Sequence, residues 1–260
     1  MFVAPRRWGT LSLLLATTGG AASAQIDYRN LDHARPLLVA DAVLAERYAF
    51  EVSLPFAYRR ADAADFVFAS PELQYGIGRN LAVGAELELE AGGGDSGIHG
   101  ARLFAAFNPL RETLSAPAIS IQAELSRLRG PSEGGVTLGA IEGLATRSFG
   151  RSRLHANLLL QAGTGVGDDL ELPRWRLGVA LDRTLIRSST LVGVELLAAD
   201  APAGSVAWLV GLGVRRQVSP TLVAHLGLHQ ALEAGEGGTT VRFGLSHVFA
   251  IRALMPGAVR

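Results

Sequence analysis

From residue 47 onward the chain alternates apolar with small or polar residues at a period of two, which sends successive side chains to opposite faces of a strand. Leu81, Val83, Ala85, Leu87 and Leu89 fall on one face, and Ala82, Gly84, Glu86, Glu88 and Glu90 on the other. Tyr48, Phe50, Val52, Leu54, Phe56 and Tyr58 share a face in the same way, with Ala49, Glu51, Ser53, Pro55 and Ala57 opposite. Turn-forming residues separate the runs. The pattern predicts strands near 47–59, 64–77, 81–91, 98–108, 117–128, 135–148, 152–163, 173–184, 189–199, 206–217, 220–231 and 239–250. Each is long enough for the ~9–11 residues that a tilted strand needs to cross a bilayer. No run reads as a long amphipathic helix, and no stretch of about 18 uninterrupted apolar residues offers a helical span.

A soluble β-sandwich would alternate too, so the composition of each face decides. The apolar face is largely aliphatic, with Tyr48, Phe50, Phe56, Tyr58, Tyr75, Trp175, Trp208 and Phe249 near strand ends, as in a lipid-facing band flanked by aromatic girdles. The opposite face carries Gly, Ala and charge, as a barrel interior does. The fold class expected is all-β: an antiparallel transmembrane β-barrel of about twelve strands with short loops, spanning 46–250, with a tail over 251–260.

Export agrees with that reading. Arg6 and Arg7, an apolar run from Leu11 to Ala16, and the small-x-small site Ala22-Ser23-Ala24 form a signal peptide over 1–24, cleaved ahead of Gln25. The Arg pair lacks the further residues of a twin-arginine signal. All 24 basic residues are Arg, against 24 acidic ones, which excludes a broadly basic nucleic-acid binder; the absence of Cys excludes disulfide scaffolds and thiolate chemistry.

Two positions strain the alternation. Val136, Leu138 and Ala140 set a phase that puts Glu142 on the lipid face, where a mid-depth charge costs up to ~2–4 kcal/mol for Arg or Lys and less for Glu. A β-bulge near Ala140-Ile141, turning Glu142 inward, is therefore expected. Arg216 is also in the outward phase, but at a strand end, where the cost falls to ~0–1 kcal/mol.

The connections divide into two sets. Gly78-Arg79-Asn80, Arg111-Glu112, Gly150-Arg151-Ser152, Arg187-Ser188 and Gln217 to Pro220 are short and carry or abut Arg; they are assigned to the periplasm. Gly92 to Gly97, Thr164 to Leu172, Asp200 to Ser205 and Glu233 to Gly238 are mostly Gly-rich or acidic and are assigned to the outside.

The inward phase gives a charge map of the lumen. Glu51, Glu72, Glu86, Glu88, Glu90 and Glu124 lie on the first five strands with Arg102 as their main basic partner. Arg153, Arg174, Arg176, Arg215 and Arg242 lie on the last six, with Asp182 and Glu195 among them. Closure would set an acidic wall against a basic one. That arrangement serves either to orient a polar solute in a pore or to fill a narrow barrel with ion pairs; twelve strands are intermediate between filled and open barrels. His155, His225 and His229 are inward as well and read as hydrogen-bonded lumen residues rather than metal ligands. No cofactor is expected. Ser246 and His247 face opposite ways, and His155-x-Asn157 lacks an inward Ser nearby, so no hydrolase site is expected. Gly92-Gly93-Gly94 and Gly163 to Gly167 neither open a helix nor carry Lys, and read as loop tips.

Pro71-Glu72-Leu73-Gln74-Tyr75-Gly76-Ile77, a tight turn, and Leu81 to Leu89 resemble the paired strands of a bacterial outer-membrane family labelled for the MetA pathway of phenol degradation, also called transporters. Arg35-Pro36-Leu37 followed by Glu46 to Glu51 resembles its N-terminal lead-in, and Gly211 to Val214, Gln217 to Leu222 and Gly244 to Phe249 its closing hairpin. The resemblance covers about residues 35 to 255 and implies a barrel passing small, aromatic or hydrophobic compounds, with no catalytic residues. Arg242-x-Gly244-x-x-His247-x-Phe249 also resembles the C-terminal signal read by the barrel-assembly machinery, with His247 in place of the usual aromatic or apolar residue. Residues 25–45 contain Leu37, Leu38, Val39, Val43 and Leu44, suited to a partial plug or a rest at the periplasmic rim; the rim is favoured. The whole reads as a monomeric outer-membrane channel for a small solute, with lipid and the assembly machinery as partners and no enzymatic activity. A non-conducting structural or ligand-binding barrel is the alternative.

Overall fold

The computed structural model describes residues 36–61, 64–92, 95–129, 135–164, 174–185, 189–201, 204–232 and 238–255. The signal peptide, residues 25–35 and much of the outer connections lie outside them. Thirteen strands form one sheet: β1 (Ala49–Ala61), β2 (Ala64–Ala69), β3 (Glu72–Gly78), β4 (Leu81–Gly92), β5 (Asp95–Leu110), β6 (Ala118–Leu128), β7 (Val136–Phe149), β8 (Ser152–Thr164), β9 (Arg174–Leu185), β10 (Thr190–Ala201), β11 (Ser205–Ser219), β12 (Leu222–Ala231) and β13 (Thr239–Ala250). Apart from β2 and β3, which both lie between β1 and β4, neighbours in sequence pair antiparallel, and β13 returns to β1 from Ala49↔Ala250 to Arg59↔Thr240, closing an all-β barrel. Closure leaves no edge strand, which a membrane demands because unpaired backbone groups find no water there.

The predicted strand 64–77 is divided into β2 and β3, yet both halves keep one register. Phe56↔Ala69 and Ser53↔Glu72 continue a single ladder with β1, as Ala69↔Leu89 and Glu72↔Glu86 do with β4. The break has a covalent cause. Ser70 N donates to Pro55 O and Leu87 N to Pro71 O, both at 3.0 Å. Neither proline has an N–H to return the bond. The barrel therefore has twelve staves, one of them nicked by two prolines.

Burial alternates along the staves. On β8, for example, Leu154, Ala156, Leu158 and Leu160 are exposed on the outer face while His155 and Asn157 are buried inside. Tyr75, Phe50, Phe249 and His247 form a stacked outer row at the end that holds both barrel termini, with centroids 4.4, 5.4 and 6.0 Å apart. Tyr48 is not part of it. It sits in the turn before β1 at φ 66°, its hydroxyl bonded to Arg47.

The expected bulge in β7 is absent. Its pairing with β6 and β8 runs without a register shift through Glu142. Instead one phase runs through the strand: Leu138 and Ala140, expected outside, are buried inside together with Glu142 and Leu144, whereas Ile141 is 59% exposed outside between Gly139 and Gly143. The inner aliphatics misled the reading because the lumen is not purely polar here; Leu144 packs with Ala42 and Ala118. Register shifts occur elsewhere, one of them opposite Glu88–Leu89, where His99 is the extra residue between Ile98 and Gly100.

Residues 36–46 lie inside the barrel rather than at its rim. Pro36, Val39 and Ala42 are fully buried. Inward glycines on four consecutive staves make the room. A methyl at Gly178 would come within 2.6 Å of Val39 Cγ2, one at Gly193 within 2.7 Å of Leu37 Cδ1, and at Gly213 and Gly227 it would overlap Pro36. The segment descends to Arg47, which bridges Gly76, and from there the chain enters β1. Gly213→Val should therefore unseat the segment and lower the temperature of the heat-induced gel shift, at a cost of about 1–3 kcal/mol. Gly143→Val, which meets nothing within 4 Å, should do neither.

Candidate functional site in the barrel lumen

A chain without secondary structure inside a barrel still has N–H and C=O groups that must be paired. Lumen side chains supply the partners. Glu195 on β10 accepts from Leu38 N and Val39 N, each at 2.8 Å, and from His229 Nε2 on β12 at 2.7 Å. Asn157 on β8, with its amide oriented to satisfy both contacts, accepts from Ala40 N and donates to Ala40 O, both at 2.8 Å. Thr146 Oγ1 accepts from Ala42 N at 2.9 Å, while Ser120 Oγ and Asn108 Nδ2 donate to Ala42 O at 2.6 and 2.9 Å.

Charge closes the same site. Arg153 on β8 joins Asp182 of β9 at 3.1 Å through Nε and 2.6 Å through Nη2, and joins Asp41 of the segment at 3.1 Å through Nη1. Thr146 Oγ1 lies 3.0 Å from His155 Nδ1, and His155 Nε2 lies 3.1 Å from Asp182. The Asp182 carboxylate only accepts, so Nε2–H donates to it, and in that tautomer Nδ1 accepts from the Thr146 hydroxyl, which itself accepts from Ala42 N. Hydroxyl, imidazole and carboxylate stand in line, but the hydroxyl is capped by Ala42 and buried. The relay anchors the segment and offers no access for a substrate.

A second cluster gathers on β3 to β6. Arg102 reaches Glu86 at 2.5 Å, Glu124 at 3.1 Å and Glu72 at 3.4 Å, and Gln122 Nε2 supports Glu124 at 2.7 Å. One guanidinium thus serves three carboxylates. Glu51 is buried on β1, whereas Glu88 and Glu90 are partly exposed on β4, where Glu90 lies 3.4 Å from His99. Across the sheet, Arg174 and Arg176 rise from β9; Arg176 makes a 3.4 Å contact with Glu142, and its side chain is 37% exposed. Arg215 on β11 stands opposite the buried His225 on β12, and Arg242 lies on β13. The lumen is therefore graded. Side chains around the segment are buried, and those towards the outer-connection end of β4 and β9 retain exposure.

The side chains assigned to the lumen by phase do not form two plain walls. Arg153 and Glu195 bind the segment, His229 supports Glu195, His155 bonds Thr146 and Asp182, Arg102 is embedded in the acidic side, and Pro36 covers Gly227 between His225 and His229. No cluster of three metal-ligating side chains occurs among the described residues. Alternation marks Asn108, Ser120 and Thr146 as inward, but their role as partners of Ala42 appears only once residues 36–46 are placed. Arg216 is exposed outside and bonds Thr190 at 2.8 Å, as its position at a strand end allows.

No family model and no curated protein matches the chain. Solved structures do match its fold. The chain is similar to the COG4313 outer membrane channel from Pseudomonas putida F1 (TM-score 0.61, 10% identity, 78% of this chain and 96% of that one). It is also similar to the NanC porin (0.57, 8%, 75% and 98%) and to the KdgM porin (0.52, 12%, 75% and 98%). At these identities the likeness establishes the fold alone, a closed antiparallel barrel like those of these outer-membrane proteins. The specific phenol-pathway label has no such support.

Glu195 joins segment and wall most tightly. Glu195→Ala would strand His229 and two buried N–H groups. It should cost about 3–5 kcal/mol in urea unfolding monitored by gel mobility, with Glu195→Gln losing less.

Proposed function

We propose that the protein is a monomeric outer-membrane channel, exported through its cleaved signal peptide, that passes small solutes passively and catalyses no reaction. The observation that carries this reading is the graded lumen: Glu88, Glu90 and Arg176 retain exposure on opposing sides of a closed barrel, beyond the reach of residues 36–46. Its fold neighbours support it. They are described as porins or a channel, and one KdgM structure is described as a complex with oligogalacturonate. The resemblance noted in the sequence adds small aromatic or hydrophobic compounds as candidate solutes. Insertion would use lipid contacts of the outer face and the Gly244 to Phe249 signal for the assembly machinery.

A second reading rests on a specific observation. Residues 36–46 occupy the lumen at the turn end and are tied there by Glu195, Asn157, Thr146 and Arg153. In that reading the barrel is closed and serves as a structural or ligand-binding protein.

Planar-bilayer recording separates the two. A channel gives discrete conductance steps, and Glu86→Gln with Glu88→Gln moves the reversal potential towards anion preference. A barrel that migrates as folded yet stays silent selects the closed reading. An unchanged reversal potential would remove the carboxylates from the conduction path.

A further inference from the structure

Two side chains on the basic side of the lumen lack what every other named charge near the segment has. Among the described residues, Arg242 makes no ion pair and no hydrogen bond, and its Nε is buried. His225 is 5% exposed, and neither ring nitrogen has a partner. Buried polar atoms in native structures are nearly always satisfied, so two such groups side by side point to a polar partner.

Register brings them together. Arg215 on β11 stands directly opposite His225 on β12, His225 opposite Gly244 on β13, and Arg242 opposite Gly227, one inward position further along. Cross-strand and diagonal neighbours of this kind sit within reach of long side chains. Gly227 and Gly244 contribute no side chain. Pro36 covers Gly213 and Gly227, and the His225 ring lies over Gly244. The carboxylate with electrostatic influence here, Glu195, is already engaged by His229 and the Leu38 and Val39 amides, and Glu86 by Arg102.

We infer that Arg242 and His225, with Arg215 beside them, form a subsite for the carboxylate of a small organic acid. The guanidinium fork matches a carboxylate, and an imidazole N–H completes its coordination. The charge count selects a monoanion: Arg242 is the uncompensated cation, since Arg215 has an interaction of its own. This names a solute class for the proposed channel and rests on that reading for its physiological use, though not for binding itself.

The test is calorimetric titration of the folded full chain in detergent with sodium gluconate, with uncharged sorbitol and sodium chloride as controls. Saturable gluconate binding is expected with none of sorbitol, weakened by about tenfold or more in Arg242→Gln. His225→Leu, which removes no fixed charge, should weaken it as well and covers the case in which Arg242→Gln does not fold. Arg216→Gln, on the outer face, should bind as the parent does. No saturable gluconate binding, equal binding of sorbitol, displacement by equimolar chloride, or undiminished binding in both lumen variants would overturn the subsite. A barrel that binds gluconate but stays silent in bilayers overturns the channel and keeps the subsite. A conducting barrel that does not bind does the reverse.

Discussion

Pairing of backbone hydrogen-bonding groups away from water governs this molecule at two levels. In the wall it forces β1 and β13 together over eleven residue pairs, so that no strand edge faces lipid. Inside, the same requirement falls on residues 36–46, which have no ladder to join. Their amides and carbonyls are met one at a time by Glu195, Asn157, Thr146, Ser120 and Asn108. The wall tolerates Pro55 and Pro71 only because each still accepts the bond it cannot return.

Electrostatics in the lumen follows from the same geometry. A single Arg153 holds Asp41 and Asp182, and a single Arg102 holds Glu72, Glu86 and Glu124. Buried charges persist where partners surround them. Arg242 departs from that rule, and its neighbour His225 departs from it for neutral groups.

Much of the wall was legible in the sequence because alternation is a local property: each residue's face depends on its neighbours two positions away. It failed where a side chain's environment was set from far along the chain. Val136, Leu138 and Ala140 look lipid-facing by hydropathy, yet Leu138 and Ala140 are buried on the inner face, where Leu144 meets Ala42 about a hundred positions away, and the pairing of β7 contains no bulge. Glu142 was turned inward for the right energetic reason through the wrong device. Tyr48 fitted the aromatic phase but lies one residue outside β1, where the turn imposes its own φ.

The sequence by itself determined an antiparallel barrel of twelve staves and its outward aliphatic band, because a period of two and the cost of charge in lipid act within each strand. Tertiary structure alone decided which lumen charges neutralise one another and which do not, and that residues 36–46 enter the barrel. Those outcomes depend on which staves face each other after closure. They also depend on the coincidence in space of Gly178, Gly193, Gly213 and Gly227, four glycines on four strands that only a closed sheet aligns into one cradle.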